Sequence, residues 1–128
     1  MTNLNYVHGR QLEYRTAKWL ERHGWYTKRA PASKGVYDVF AIQPLSTLDM
    51  TLPKPDQKWE VRPRVLFIQC KRMKRVPKIG FEKCFARDRT ELVAFARPFG
   101  AEAAFATQVG RKAWLEWLLP ESHSVETI

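Results

Sequence analysis

Residues 65–70 read VLFIQC, an almost uninterrupted apolar run, and Lys71 follows it directly. Short apolar runs bounded by polar residues are typical of a central strand that is buried on both faces of a sheet. Gln69 is the polar exception, and because residues two apart in a strand share a face, its side chain lies on the same side as that of Lys71. The run therefore predicts a central strand with polar groups at its end.

The sequence before this strand predicts one helix and two more strands. Polar and apolar residues recur at helical spacing over residues 7–23, and Gly24 follows, as glycine commonly does just past a helix. Residues 25–30 and 36–42 are rich in β-branched and aromatic types, and 31–35 is a loop between them. The chain is thus predicted to open in the order helix, strand, strand.

The remaining segments are less uniform. Residues 44–63 hold four of the eight prolines and are predicted to form a long insertion. A second helix is expected from about Asp88, which has capping-box spacing to Glu91, and a strand is expected at 103–108. Residues 111–119 fit an edge strand or a short helix, and their tryptophans fit either the core or a dimer interface.

Composition limits the class of protein. With 128 residues, 45% of them hydrophobic, the chain is predicted to form a single domain over residues 1–128. The 22 Lys and Arg residues against 13 Asp and Glu give a formal charge of +9, which favours a polyanionic partner, with nucleic acid first. A cationic domain without any nucleic-acid role is the alternative.

The sequence offers no membrane or disulfide signature. No apolar stretch approaches the roughly 20 residues that a bilayer span needs, and residues 1–14 lack the apolar region of a signal peptide. Two cysteines, Cys70 and Cys84, do not fit a disulfide framework or a zinc site. We expect a cytoplasmic, intracellular protein that associates with DNA and not with a membrane. A viral protein inside its host cell also fits this expectation.

Three residue types are expected to meet at the end of the central strand. Asp38 interrupts the run 36–42, where a carboxylate is disfavoured and costly to bury unpaired. If the two strands are neighbours, Asp38, the Gln69 amide and the Lys71 ammonium share one small volume. Glu13 lies one turn before Ala17, on the helical stripe that packs toward the sheet. Each of these residues taken singly fits a solvated surface charge equally well.

This set of groups suits metal-assisted phosphodiester hydrolysis. Mg²⁺ prefers oxygen ligands and keeps several bound waters, so two carboxylates with an amide or main-chain oxygen are enough protein ligands to bind it. The reaction needs a metal-activated water and positive charge on the transition state. Lys71 can position the water or stabilise the developing charge, and the pattern leaves both roles open.

The ordered set Gly9, Glu13, Arg29, Ser33 and Asp38, followed by the strand end Gln69-Cys70-Lys71, resembles the PD-(D/E)XK nuclease core. The surrounding segments HGRQLEYRTAKWLERHGW (8–25) and LVAFARPFGAEAAFAT (92–107) are similar to archaeal-type Holliday junction resolvases. The resemblance covers roughly residues 6–118, apart from the insertion. It implies a restriction-endonuclease-like α/β fold, with a central mixed β-sheet flanked by helices.

The resemblance also implies an activity. It indicates a homodimeric endonuclease that resolves four-way DNA junctions with Mg²⁺, for which Mn²⁺ is a possible substitute. Lys71 matches the catalytic lysine, and Ser33 matches a serine near the scissile phosphate. The implied metal ligands are Glu13, Asp38, Gln69 and the main-chain carbonyl of Cys70. The expected DNA-contacting residues are Arg10, Arg29, Ser33, Lys34, Arg72, Lys74 and Arg75.

Gln69 departs from the family pattern, which usually has glutamate at this position. The site then carries two formal negative charges, from Glu13 and Asp38, and a weaker affinity for the metal follows as a hypothesis. Two alternatives to a junction resolvase stay open. One is a PD-(D/E)XK nuclease that cuts duplex or damaged DNA, and the other is a DNA-binding protein that has lost its chemistry at Gln69.

Overall fold

A computed structural model describes residues 4–30, 35–43, 63–75, 78, 83–120 and 124–128, with side chains from residue 10 onward. Two helices and a short 3₁₀ turn accompany six strands in these ranges. In chain order the elements are α1 (Leu4–Arg22), β1 (Tyr26–Arg29), β2 (Val39–Gln43), β3 (Arg64–Met73), α2 (Ala86–Ala96), the 3₁₀ turn Arg97–Phe99, β4 (Glu102–Val109), β5 (Lys112–Leu119) and β6 (Val125–Thr127).

The six strands form one mixed sheet in the order β1-β2-β3-β4-β5-β6. Every neighbouring pair is antiparallel except β3 and β4, which run parallel. A parallel pair needs a crossover connection, and α2 lies in the segment that joins these two strands. The predicted α/β fold with a central mixed sheet is confirmed, and β3 is its central strand.

The two faces of the sheet are covered by different helices. Leu20 of α1 is fully buried among side chains from β2, β3, β4 and β5, including Ile68 and Leu115. On the opposite face Leu92 of α2 is fully buried with Phe67. Alternate residues of β3 thus face α1 and α2, as expected for a strand buried on both sides. Trp117 packs in the core on the α1 side of the sheet, so of the two predicted places, core or dimer interface, the core is correct for this tryptophan.

Arg15 fastens α1 to the far side of the sheet. Its Nε and Nη2 donate to a main-chain oxygen of Ile128 at 3.1 and 2.6 Å, and its Nη1 donates to the carbonyl oxygen of Arg111 at 2.9 Å. Ile128 follows β6, and Arg111 precedes β5. The helix is therefore held at the sheet edge opposite β1 as well as by its buried stripe. Within the described residues, no helix is both long and apolar enough to cross a membrane.

Several predicted boundaries are corrected by the structure. Asp38 lies just before β2 instead of inside it, because the strand starts at Val39. The segment 111–119 is a strand, and it is not an edge strand, because β6 pairs with it. The loop residues 31–34 and almost all of the predicted insertion, residues 44–62, lie outside the described ranges.

The predicted second helix is present and starts two residues before Asp88, but it lacks the predicted capping box. The helix begins at Ala86, with Phe85 as N-cap, and the cap makes no side-chain hydrogen bond. Glu91 does not reach back to form a capping box, since its carboxylate pairs with Arg87 Nε at 3.0 Å. A tertiary anchor, Arg89, takes the place of local capping in fixing this turn.

Arg89 is buried and joins α2 to the sheet. Its Nη1 lies 2.7 Å from Glu116 Oε2 on β5, and its Nε donates to the carbonyl oxygen of Cys84 at 2.9 Å. The guanidinium carbon also lies 4.5 Å from the centre of the Phe105 ring. Removing one member of a buried ion pair leaves an uncompensated charge, which makes such a contact costly to break.

We expect Arg89→Ala to lower the free energy of unfolding by about 3–5 kcal/mol, the range for breaking a buried ion pair. Arg87→Ala is the matched control, because it breaks the exposed pair with Glu91 on the same helix and should cost less than about 0.5 kcal/mol. Urea unfolding followed by circular dichroism measures both. Equal losses in the two variants would contradict the assigned role of Arg89.

Candidate active site

Asp38 lies where β2 begins and next to Cys70 of β3, a strand that continues past its predicted end at Lys71 to Met73. It is 9% exposed, and its Oδ2 accepts a hydrogen bond from the Cys70 N–H at 2.8 Å. The Asp38 N–H donates to the Ile68 carbonyl at 2.7 Å, and the Asp38 carbonyl accepts from the Ala30 N–H at 2.9 Å. The main chain on both sides therefore fixes the carboxylate, and its hydrogen bond makes the burial tolerable.

Glu13 approaches the same place from α1. Leu12 and Thr16, its neighbours along the buried stripe, are fully buried, and the Glu13 side chain is 20% exposed. Burial raises the pKa of the Glu13 carboxyl, the nearby Asp38 charge raises it further, and Arg29 lowers it. The geometry agrees: Arg29 contacts Glu13, and the N–H of the next residue, Ala30, binds the Asp38 carbonyl, so the end of β1 brings the two acids near each other.

The pKa of the Asp38 carboxyl is also raised, with burial as the largest cause. The Cys70 N–H and the Lys71 charge oppose this rise, and Asp88 adds to it. Two neighbouring carboxyls whose pKa values are both raised by burial are typical of a functional site. A cation between them would relieve both the burial cost and the repulsion.

Gln69 and Lys71 lie on the α2 face of β3, as predicted from their spacing. The alternation along the strand places Phe67, Gln69 and Lys71 on this face. The Lys71 Nζ lies 3.8 Å from Asp88 Oδ2 and 5.6 Å from the centre of the Phe85 ring. Lys71 is thus directed toward the first turn of α2, and its charge still reaches Asp38.

Cys70 points to the other face. Its Sγ lies 3.9 Å from Thr16 Oγ1 on α1, and burial raises the pKa of the thiol well above its usual range. A thiol with a raised pKa stays neutral, so the side chain is a poor metal ligand or nucleophile. What Cys70 offers the site is its main chain, through the N–H on Asp38 and the carbonyl oxygen.

The donor set fits an oxygen-preferring cation. The ligands that the sequence predicts, the Glu13 and Asp38 carboxylates, the Gln69 amide and the Cys70 carbonyl, all offer oxygen, which suits Mg²⁺ or Mn²⁺ better than zinc. Among the residues described, no three His, Cys, Asp or Glu side chains come together as a metal site.

A group of arginines surrounds an exposed tyrosine beside Glu13. The Arg29 guanidinium carbon lies 3.9 Å from the centre of the Tyr14 ring, and Arg29 Nη2 donates to the Tyr14 hydroxyl at 3.1 Å. The Arg10 guanidinium lies 5.8 Å from the same ring, and Arg29 Nη1 is 3.9 Å from Glu13 Oε2. Two cations next to a carboxylate site form a surface that suits phosphate groups.

The other predicted DNA-contacting residues are distributed differently. Arg72, Lys74 and Arg75 are exposed at and beyond the end of β3. Ser33 and Lys34 lie outside the described residues, so their predicted roles stay predictions.

Two residues near the site were missed by the sequence analysis. Tyr14 was available as a signal, since it directly follows Glu13 and lies one helical turn after Arg10. Asp88 was interpreted as the start of a helix, and the structure instead places its carboxylate beside Lys71.

No protein-family model and no curated protein sequence matches the chain. A solved structure does match it: that of Hjc from Archaeoglobus fulgidus, a Holliday junction resolvase from an archaeal hyperthermophile. The alignment covers 91% of this chain and 86% of that chain, with a TM-score of 0.51 and 22% sequence identity. The chain therefore has the fold of that resolvase, and this agrees with the α/β fold around a central mixed sheet that the sequence predicts.

Proposed function

We propose that this protein is a DNA endonuclease that resolves four-way junctions by paired, Mg²⁺-dependent hydrolysis of phosphodiester bonds. The observation that carries the proposal is the buried Asp38 carboxylate, which accepts a hydrogen bond from the Cys70 N–H at 2.8 Å and interacts electrostatically with Glu13 and Lys71. The fold shared with a Holliday junction resolvase supports junction DNA as the substrate.

In this proposal Glu13 and Asp38 would hold the metal, with the Gln69 amide oxygen and the Cys70 carbonyl as neutral ligands. When bound, the metal would supply an activated water and positive charge near the phosphate oxygens. The Lys71 ammonium adds a positive charge on the α2 side, where it stabilises charge that develops on the phosphate. Arg29, held against Tyr14, binds a neighbouring backbone phosphate and aligns the strand with the carboxylates.

Junction resolution also needs two cuts, which a two-fold symmetric homodimer would provide with two active sites at a fixed separation. The net charge of +9 and the exposed cations Arg72, Lys74 and Arg75 support a broad contact with DNA phosphates. Such contacts read the shape of the branched DNA and carry no base sequence.

The proposal predicts metal-dependent cleavage of a labelled four-way junction, with paired nicks, and little cleavage of a linear duplex of the same sequence. Asp38→Asn should lower the rate by at least about 100-fold, beyond the 10–100-fold typical of residues that only orient a metal ligand. Glu91→Gln is the control, because this carboxylate pairs with Arg87 on the outer part of α2. EDTA should abolish cleavage in every variant.

Two outcomes would replace this function with another. Equal cleavage of junction and duplex would indicate a general nuclease for duplex or damaged DNA. Tight junction binding without any cleavage would indicate a DNA-binding protein whose chemistry was lost at Gln69.

Gln69→Glu should lower the Mg²⁺ concentration at half-maximal cleavage, because a third carboxylate strengthens the attraction of the site for a divalent cation. Gln43→Glu is the matched control. It adds the same charge at the opposite end of β2 and keeps the oxygen that accepts from Arg64 Nη1. A Mg²⁺ titration of junction cleavage measures the shift, and an unchanged midpoint for Gln69→Glu would show that Gln69 is not a ligand.

The raised pKa of Asp38 predicts how the metal-free protein responds to pH. A carboxyl with a raised pKa in the folded state contributes stability that is complete below its unfolded pKa and lost as pH rises through the folded value. At pH 7 in EDTA the charged carboxylate therefore costs stability. Asp38→Asn should raise Tm under these conditions, because asparagine keeps an oxygen that can accept from the Cys70 N–H.

Thermal unfolding at pH 4 and pH 7, with EDTA and with Mg²⁺, tests this expectation. The gain in Tm should shrink toward pH 4, and Mg²⁺ should stabilise the wild type more than the variant. A lower Tm for Asp38→Asn at pH 7 in EDTA would mean that the charged form of the hydrogen bond to Cys70 outweighs the cost of burial.

A further inference from the structure

Asp88 lies in the first turn of α2 and does not cap that helix. The N-cap is Phe85, a residue with a left-handed backbone (φ 57°), and it makes no side-chain cap hydrogen bond. The Asp88 carboxylate instead lies 3.8 Å from the Lys71 ammonium. Both side chains are about one-third exposed, with values of 37% and 32%. The contact therefore joins the helix to the end of β3 at the border of the site.

The position of Asp88 is set by buried contacts around it. The Phe85 ring stacks on Phe105 of β4 with centroids 5.8 Å apart. One residue after Asp88, the buried Arg89 binds the Cys84 carbonyl and the Glu116 carboxylate. Because aspartate has a short side chain, a fixed first turn of α2 places its carboxylate within a small volume. The Lys71 ammonium lies against that volume and within 5.6 Å of the Phe85 ring centre.

The uncharged side chain of Gln69 gives the contact between Lys71 and Asp88 its importance. A glutamate at 69 would lie two residues before Lys71 on the same face of β3, and would put a carboxylate beside the ammonium. The Gln69 amide brings no charge there. Asp38 attracts Lys71, but its Oδ2 is engaged by the Cys70 N–H. Asp88 is a carboxylate that faces Lys71 from another element, within ion-pair distance.

We propose that Asp88 is a positioning residue of this site: from α2 it holds the Lys71 ammonium in place and supplies the counter-charge that Gln69 does not. This inference rests on the proposed function, because it assigns Asp88 a part in the same reaction. Asp88 acts through Lys71 and is not assigned as a metal ligand.

The first test is made without metal or DNA. Wild type, Asp88→Asn, Asp88→Glu and Glu91→Gln are treated in EDTA with a limiting amount of an amine-acylating reagent, and labelling of each lysine is quantified by mass spectrometry. Asp88→Asn should raise the labelling rate of Lys71 about two- to fivefold, the range expected for loss of a part-exposed ion pair. Lys18 and Lys112, both exposed, serve as internal references and should not change.

The second test separates binding from chemistry in single-turnover cleavage of a four-way junction. Asp88→Asn should lower the cleavage rate constant by about 10–100-fold, as is typical when a group that orients an active-site residue is lost. The dissociation constant for the junction should be no more than about twofold weaker than that of the wild type, and removal of a negative charge can only tighten it. Asp88→Glu should recover much of the rate, and Glu91→Gln should match the wild type.

A double variant tests the compensation directly. Gln69→Glu in the Asp88→Asn background should restore a larger factor in rate than it gains in the wild type, because it returns a carboxylate to the neighbourhood of Lys71. Equal factors in the two backgrounds would overturn the link between Asp88 and Gln69.

The outcomes separate this inference from the proposed function. An unchanged Lys71 labelling rate in Asp88→Asn, or a wild-type cleavage rate in that variant, would overturn the positioning role while leaving the nuclease intact. A wild-type protein that binds the junction and never cuts it would overturn both. Thermal unfolding of each variant confirms that the comparison is made between folded proteins.

Discussion

The hydrogen bond from the Cys70 N–H to Asp38 Oδ2 is the contact on which the site depends. A carboxylate is costly to bury without a partner, and this donor belongs to the main chain of the central strand, whose position the core already fixes. The bond joins the start of β2 to the end of β3. The bond therefore fixes the Asp38 carboxylate, which lies just before β2, relative to Glu13 and Lys71.

The two faces of β3 give the site its organisation. Cys70 and Ile68 pack toward α1, while Phe67 and Lys71 face α2. Each helix brings one acid to the strand end: Glu13 from α1 and Asp88 from α2. The Asp38 charge raises the pKa of Glu13, and the Asp88 charge raises the pKa of Asp38, so the three acids form one electrostatic group. Asp88 reaches the site because β3 and β4 are parallel. The connection between them contains α2, which covers the face of the sheet that carries the Lys71 side chain.

Much of this arrangement could be predicted from sequence, because burial leaves a periodic pattern. The apolar run of β3 and the stripe of α1 predicted those elements, and the strand period predicted that Gln69 and Lys71 share a face. Contacts between distant segments leave no such pattern. The start of α2 depends on the buried Arg89 more than on local capping, and β6 consists of exposed residues without an apolar rhythm. For the same reason the pairing of Asp88 with Lys71 was not predicted.

The attachment of α1 by Arg15 has a mechanical consequence for the pair of acids. Arg15 lies two residues from Glu13, and its guanidinium donates hydrogen bonds to main-chain oxygens next to β5 and β6. Asp38 is anchored near the other edge, between β1 and β3. Glu13 also lies 3.9 Å from Arg29 on β1, so α1 is tied to both edges of the sheet while its acid reaches Asp38. A shift of one edge of the sheet relative to the other therefore moves Glu13 relative to Asp38.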